Sequence, residues 1–200
     1  MHRLYEFTPS GNAYKVRLLL TQLGIPFERI EIDITKGESD TPAFLRMNPN
    51  GRIPVLEISE GCYLPESNAI LWYLAEGTRF LPMDKLERAQ VLQWLFFEQY
   101  SHEPNIATPR YWISILKQEE KYQELLKQKK LSGYEALNVM EAHLRRNKFF
   151  VGNQYSIADI ALYAYTHVAD EGGFDLSRFP AIQDWFERVE AQPRYVGING

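Results

Sequence analysis

The segment Thr8-Pro9-Ser10-Gly11-Asn12-Ala13-Tyr14-Lys15-Val16-Arg17 joins a short apolar stretch to a helical one. It brings a hydroxyl, an amide and the free N–H groups of a helix start to one point, where the helix dipole favours negative charge. Such a loop could hold a thiolate; the plainer reading is that Ser10 or Asn12 only caps the helix. Asn48-Pro49-Asn50-Gly51-Arg52-Ile53-Pro54-Val55-Leu56 puts Pro54 at a strand entry after a turn. Prolines there are sometimes cis, and a cis bond would let Ile53 offer its own N–H and C=O to an extended peptide, although most X-Pro bonds are trans. In Glu66-Ser67-Asn68-Ala69-Ile70, Ser67 is placed to cap a helix or bind a carboxylate, and Glu66 has the charge to meet an ammonium group. His102 and Glu103 are adjacent, so on a helix they face different directions and do not read as a catalytic pair. The four histidines show no metal spacing, and Cys62, in a hairpin, reads as a small buried hydrophobe.

The elements that must position these groups begin with a strand over 4–7 and a helix over 14–23 ended by Gly24. A second strand is expected over 27–34, a short helix over 41–47 stopped by Asn48-Pro49-Asn50-Gly51, and a strand over 54–58. Glu60-Gly61 makes a tight turn into Cys62-Tyr63-Leu64, and a helix follows over 67–75. The order βαβ then ββα implies a small mixed sheet with helices packed on it, over residues 1–76. Residues 77–85 lack helical periodicity and carry Gly77 and Pro82, which marks a linker. From 86 to 200 everything reads helical: a helix over 86–116 kinked at Pro104 and Pro109, one over 119–144 that Gly133 bends or breaks, and two more over 156–168 and 179–191.

The 200 residues suffice for two small domains, and 45% hydrophobic with 24% charged residues is an ordinary globular composition. A net charge of -4 gives no field that would draw the chain to nucleic acid or anionic lipid. A single cysteine excludes an internal disulfide framework and fits a reducing compartment. Glu6 falls where a signal peptide needs its apolar stretch, and no apolar run approaches about 18 residues, so the expected location is cytoplasmic and away from the membrane.

Taken in order and spacing, 10–17, 48–54 and 66–70 resemble the glutathione transferase family, and the resemblance runs over nearly the whole chain. Phe150-Val151-Gly152 followed by Tyr155-Ser156-Ile157-Ala158-Asp159 resembles the capping box on a central helix of that family's second domain, a folding feature with Tyr155 stapled onto Ile160. The resemblance implies an α/β thioredoxin-like N-terminal domain and an all-α C-terminal helical bundle domain. It implies a cis Pro54, with Ile53 pairing to the cysteinyl backbone of glutathione, Glu66 and Ser67 holding the γ-glutamyl group, and Arg52 approaching the glycine carboxylate.

The family's catalytic position differs between classes. Tyr5 lies beside the tyrosine-class position, which aligns here with Glu6, and Ser10 replaces the cysteine of a bacterial class. The chain therefore looks like a serine-type, theta-like or related bacterial member, with Ser10 donating to the glutathione sulfur and Asn12 as the second candidate. The implied activity is glutathione transfer to a small hydrophobic electrophile by a homodimer, with glutathione as co-substrate and no metal or other cofactor. The alternatives are a glutathione-dependent disulfide reductase and a non-catalytic regulatory protein that keeps the fold. The electrophile pocket is expected on the long helix of the second domain, at Tyr100, Tyr111 and Trp112, each of which reads equally as a core or interface aromatic.

Overall fold

The computed structural model describes all residues from Met1 to Gly200. They form two compact units, Met1–Thr78 together with Pro193–Gly200, and Arg79–Gln192. The second unit thus begins inside the expected linker, and the last residues pack with the first unit instead of the helical one.

In the first unit, β1 (His2–Glu6), α1 (Gly11–Leu23) and β2 (Phe27–Glu31) are followed by α2 (Pro42–Met47), β3 (Val55–Ser59), β4 (Cys62–Pro65) and α3 (Ser67–Ala75). The strand order is β2-β1-β3-β4, with β1 and β2 parallel and the other pairs antiparallel. The parallel pair needs a crossover, which α1 supplies. This is the thioredoxin-like mixed sheet. β2 stops at Glu31, short of the expected 34, because Asp33 accepts the Thr35 N–H at 2.9 Å and starts a 3-10 turn at Ile34–Lys36. Cys62, expected inside, is exposed: it opens the edge strand β4, opposite Ser59.

α1 is buried almost throughout from Ala13 to Leu20, so its two charges, Lys15 and Arg17, must be satisfied internally. Arg17 pairs with the fully buried Glu6, which Arg29 also meets. Glu6 is thus the anion of a buried pair. Arg17 also donates to the Ile198 carbonyl, the Tyr14 hydroxyl to the Val196 carbonyl at 2.7 Å, and Arg29 to the Gly200 carbonyl at 2.9 Å. These donors tie 193–200 to α1 and β2.

The second unit contains α4 (Lys85–Phe97), α5 (Glu103–Arg110), α6 (Gln123–Leu144), α7 (Ile157–Thr166) and α8 (Pro180–Glu190). The single kinked helix expected over 86–116 is divided by π-helical turns at Glu98–His102 and Tyr111–Ile115. Pro104 occupies the first turn of α5, where its missing donor costs nothing, and the Glu103 N–H reaches back to the Glu98 carbonyl in the wider register. Gly133 neither bends nor breaks α6. It is buried, and a Cβ there would lie 2.6 Å from two ring carbons of Phe174. The glycine admits a ring.

The predicted capping box is present at α7, where Ser156 caps and Asp159 accepts the Ser156 N–H at 3.0 Å. Asp159 also accepts the Phe150 N–H at 3.1 Å and the Trp185 indole N–H at 3.0 Å, so it joins the preceding loop and α8 to α7. Burial pushes its carboxyl up to about 7 against those bonds. No helix is long and apolar enough to cross a membrane.

Candidate functional site

Ser10 is extended, at φ -73 and ψ 124, and its Oγ accepts the Ala13 N–H at 3.3 Å. The capping reading is therefore realised. A hydroxyl that accepts from a helix N–H keeps its own proton, so the same group can still donate to an anion placed before the helix. Thr8, two residues earlier, is held from three sides: its N–H and Oγ1 bond Glu31, its Oγ1 accepts from Arg29 at 3.1 Å, and its carbonyl accepts from Arg17 at 3.4 Å. The buried Glu6 pair thus fixes the loop carrying Ser10.

One turn into α1, Asn12 and Lys15 meet the start of α3. The Lys15 Nζ, fully buried, donates to the Asn12 Oδ1 at 2.8 Å, the Ser67 Oγ at 3.3 Å and the Asn68 Oδ1 at 3.5 Å. The Ser67 hydroxyl also donates to the Asn12 Oδ1 at 3.2 Å. These bonds place the N-terminal turns of α1 and α3 side by side, with a buried cation between them. They also turn the Asn12 carbonyl toward Lys15 and Ser67, which directs its amide N–H₂ the other way. Lys15 and Asn68 are the groups the sequence reading missed. The available signal was a charge three residues after Asn12, on the same helical face, in an otherwise apolar run.

The Ile53–Pro54 bond is cis. No other part of the chain occupies the N–H or C=O of Ile53, which leaves that backbone open to an extended ligand. The turn before it is held by the buried Asn48, whose amide donates to the Arg52 carbonyl at 2.8 Å and whose Oδ1 accepts the Asn50 N–H at 3.1 Å. The Arg52 side chain is exposed and makes no bond within the chain. Glu66 sits at φ 70 and ψ 109, immediately before α3. A non-glycine residue held there is a local strain, and its exposed carboxylate bonds nothing in the protein.

A hydroxyl at one helix start, an open backbone beside a cis-proline and a serine at a second helix start occupy one unit. Comparison with known proteins decides the family. Residues 2–76 match the glutathione S-transferase N-terminal domain model, and residues 103–193 match the C-terminal domain model. The chain belongs to the glutathione S-transferase family. It is 53% identical to a glutathione S-transferase of Pseudomonas fluorescens whose crystal structure superposes with a TM-score of 0.98, over 100% of this chain and 99% of that one. It is 31% identical to the disulfide-bond oxidoreductase YfcG of Escherichia coli, over 94% of this chain and 89% of the relative. A glutathione transferase of Pseudomonas putida, solved with one glutathione disulfide bound per subunit, is 26% identical with a TM-score of 0.84, covering 96% and 88% of the two chains.

The expected electrophile residues all lie in the second unit. Tyr100 is 87% exposed on the first π-turn. Tyr111 and Trp112 begin the second π-turn, and Trp112 stacks flat on Tyr122 with centroids 4.2 Å apart. His102, set aside in the sequence reading, is fully buried with its Nε2 2.8 Å from the Thr166 hydroxyl, a packing role. No group of three or more His, Cys, Asp or Glu side chains stands ready to hold a metal ion.

Proposed function

We propose that this chain binds glutathione across the N-termini of α1 and α3, holds its sulfur as a thiolate, and transfers it to a small hydrophobic electrophile. The bonding of Asn12 and Lys15 to Ser67 and Asn68 carries the reading, because it joins the thiol end and the γ-glutamyl end of the site through a buried ammonium. In this reading Ser67 meets the γ-glutamyl carboxylate with the buried Lys15 charge behind it, Glu66 meets the ammonium, Ile53 beside Pro54 the cysteinyl backbone, and Arg52 the glycine carboxylate. Ser10 donates to the sulfur, with the amide of Asn12 as second donor. Tyr100, Tyr111 and Trp112 contact the electrophile, and the working unit is a two-fold dimer with no further cofactor.

The energetic requirement is modest. A free thiol has a pKa of about 8.5, and lowering it by about two units takes roughly 2.7 kcal/mol. One hydrogen bond to a charged acceptor contributes about 1.5 to 3 kcal/mol and a helix N-terminus about 0.3 to 1, which together cover it.

Disulfide reduction is the second reading, favoured by the similarity to the bacterial disulfide-bond oxidoreductase and by the glutathione disulfide in the Pseudomonas putida structure. There the thiolate attacks one sulfur of the substrate disulfide, forms a mixed disulfide and expels the other sulfur as a thiolate. Parallel assays of the purified protein with an aryl halide and with a model disulfide, each with glutathione, separate the two. Aryl conjugation lost on Ser10→Ala supports transfer. Disulfide turnover without conjugation overturns it in favour of reduction, and failure to bind a glutathione resin removes both.

A further inference from the structure

The second unit carries an open cleft of about 530 Å³, within the size range of small-ligand sites, formed where the last turns of α6 and α8 meet the loop 147–153. Arg145, Arg146, Lys148 and Arg188 line it, and no acidic residue does, in a chain whose net charge is -4. We propose that this cleft is a binding site for a small oligophosphate, an anion carrying at least two adjacent phosphoryl groups.

Two of these cations are held in place by the chain itself. The Arg188 Nε donates to the Lys148 carbonyl at 3.0 Å, and the Arg145 Nε to the Glu141 carboxylate at 3.1 Å. Glu141 is itself fixed, since it accepts the Ala181 and Ile182 N–H groups at the start of α8 at 3.3 and 3.1 Å. Both guanidinium groups are therefore tethered through Nε, leaving the paired terminal N–H groups that grip a phosphoryl oxygen pair. Asn153, at φ 54, accepts the Lys148 N–H on its Oδ1 at 2.9 Å. An oxygen engaged by a backbone donor fixes the amide orientation, so Nδ2 is a neutral donor on the other side. The side chains of Arg146 and Lys148 make no bond or ion pair within the protein.

Cations in a last helical turn also complement the helix dipole, which accounts for Arg145 and Arg188 taken singly. It does not account for two helix ends and a loop converging on one concavity with their Nε atoms engaged and no carboxylate on its wall. A positively charged wall without an acidic residue matches a compact polyanion. The glutathione reading plays no part in this inference, because every residue of the cleft belongs to the second unit.

Isothermal titration of the full chain with inorganic pyrophosphate, ADP and sulfate at low and moderate salt tests it. Pyrophosphate and ADP should bind with similar affinity and sulfate more weakly. Arg146→Gln with Lys148→Gln, whose side chains support no contact, should weaken pyrophosphate at least about tenfold, and Arg145→Gln with Arg188→Gln at least as much. Removing two exposed charges elsewhere, Lys121→Gln with Lys127→Gln, is the control for net charge and should leave affinity within about twofold, because exposed charges beyond about 10 Å are screened. Tighter binding of ADP beside measurable pyrophosphate binding would assign the cleft to a nucleoside diphosphate and support it. No pyrophosphate binding at millimolar concentration, equal affinity for sulfate, or equal loss in the control pair overturns it.

Discussion

Lys15 is the residue on which the two halves of the candidate site depend. Its ammonium lies among the oxygens of Asn12, Ser67 and Asn68, so it orders both helix starts, and in the proposed function its charge lies behind the γ-glutamyl carboxylate. Removing the buried ammonium leaves the Asn12, Ser67 and Asn68 oxygens without their donor, which costs about 1 to 3 kcal/mol of stability, and loss of a charged hydrogen-bond donor weakens anion binding by about 1.5 to 3 kcal/mol. Lys15→Met is therefore expected to raise the KM for glutathione about 10- to 100-fold and to lower the urea midpoint, with a loss of about 1 to 3 kcal/mol of stability. Steady-state kinetics beside a urea titration checks both, and an unchanged KM excludes Lys15 from the site. The cap at Ser10 was legible in the sequence because capping chemistry is local, and the cis bond before Pro54 followed from the family resemblance. Ser67, expected as a cap, is instead the first residue of α3, behind a Glu66 N-cap that makes no side-chain bond. Lys15 was not legible, because a lysine on a helix normally points to water, and only the packing of α1 against α3 shows that this one does not.

Gly133 shows the same limit at the scale of an element. Its propensity argues for a bend, yet α6 runs unbroken from Gln123 to Leu144 and the missing Cβ makes room for the Phe174 ring. Gly133→Ala would gain about 1 kcal/mol of helix propensity and lose about 1 to 3 kcal/mol to overpacking. Net destabilisation in chemical denaturation is expected; a stabilised variant would mean that Phe174 moves aside freely. Element types were readable throughout the chain, since hydrophobic period, glycine stops and proline starts act locally. The division of the 86–116 helix was not, because a proline predicts a break without saying whether the backbone kinks or re-pairs in the π register. The return of 193–200 to the first unit was equally hidden, since its anchors, Tyr14, Arg17 and Arg29, lie far back in the sequence.

Across the whole molecule, two buried groups of the second unit give stability opposite pH slopes. Burial raises the Asp159 carboxyl from 3.8 to about 7, so the folded state holds a proton that the unfolded chain releases, and this contribution falls as pH rises through that window. Burial lowers the His167 imidazole from 6.5 to about 4, its Nδ1 lying 2.7 Å from the Tyr163 carbonyl, so here the unfolded chain binds the extra proton and stability rises with pH. The two largely cancel between about pH 4 and 6.5 in the native protein. Urea midpoints across that window should fall with rising pH in His167→Asn and climb in Asp159→Asn, and parallel profiles in the two variants would refute the opposition. In the other unit, the helix start at Ser10 is proposed to hold a glutathione thiolate. Thiolate absorbance of bound glutathione, titrated with pH in the native protein and in Ser10→Ala, reads it most directly. The native complex should ionise about two units below the free thiol's value of about 8.5, and Ser10→Ala should recover one to about two of those units. A native midpoint equal to that of free glutathione, or an unchanged one in Ser10→Ala, would contradict it.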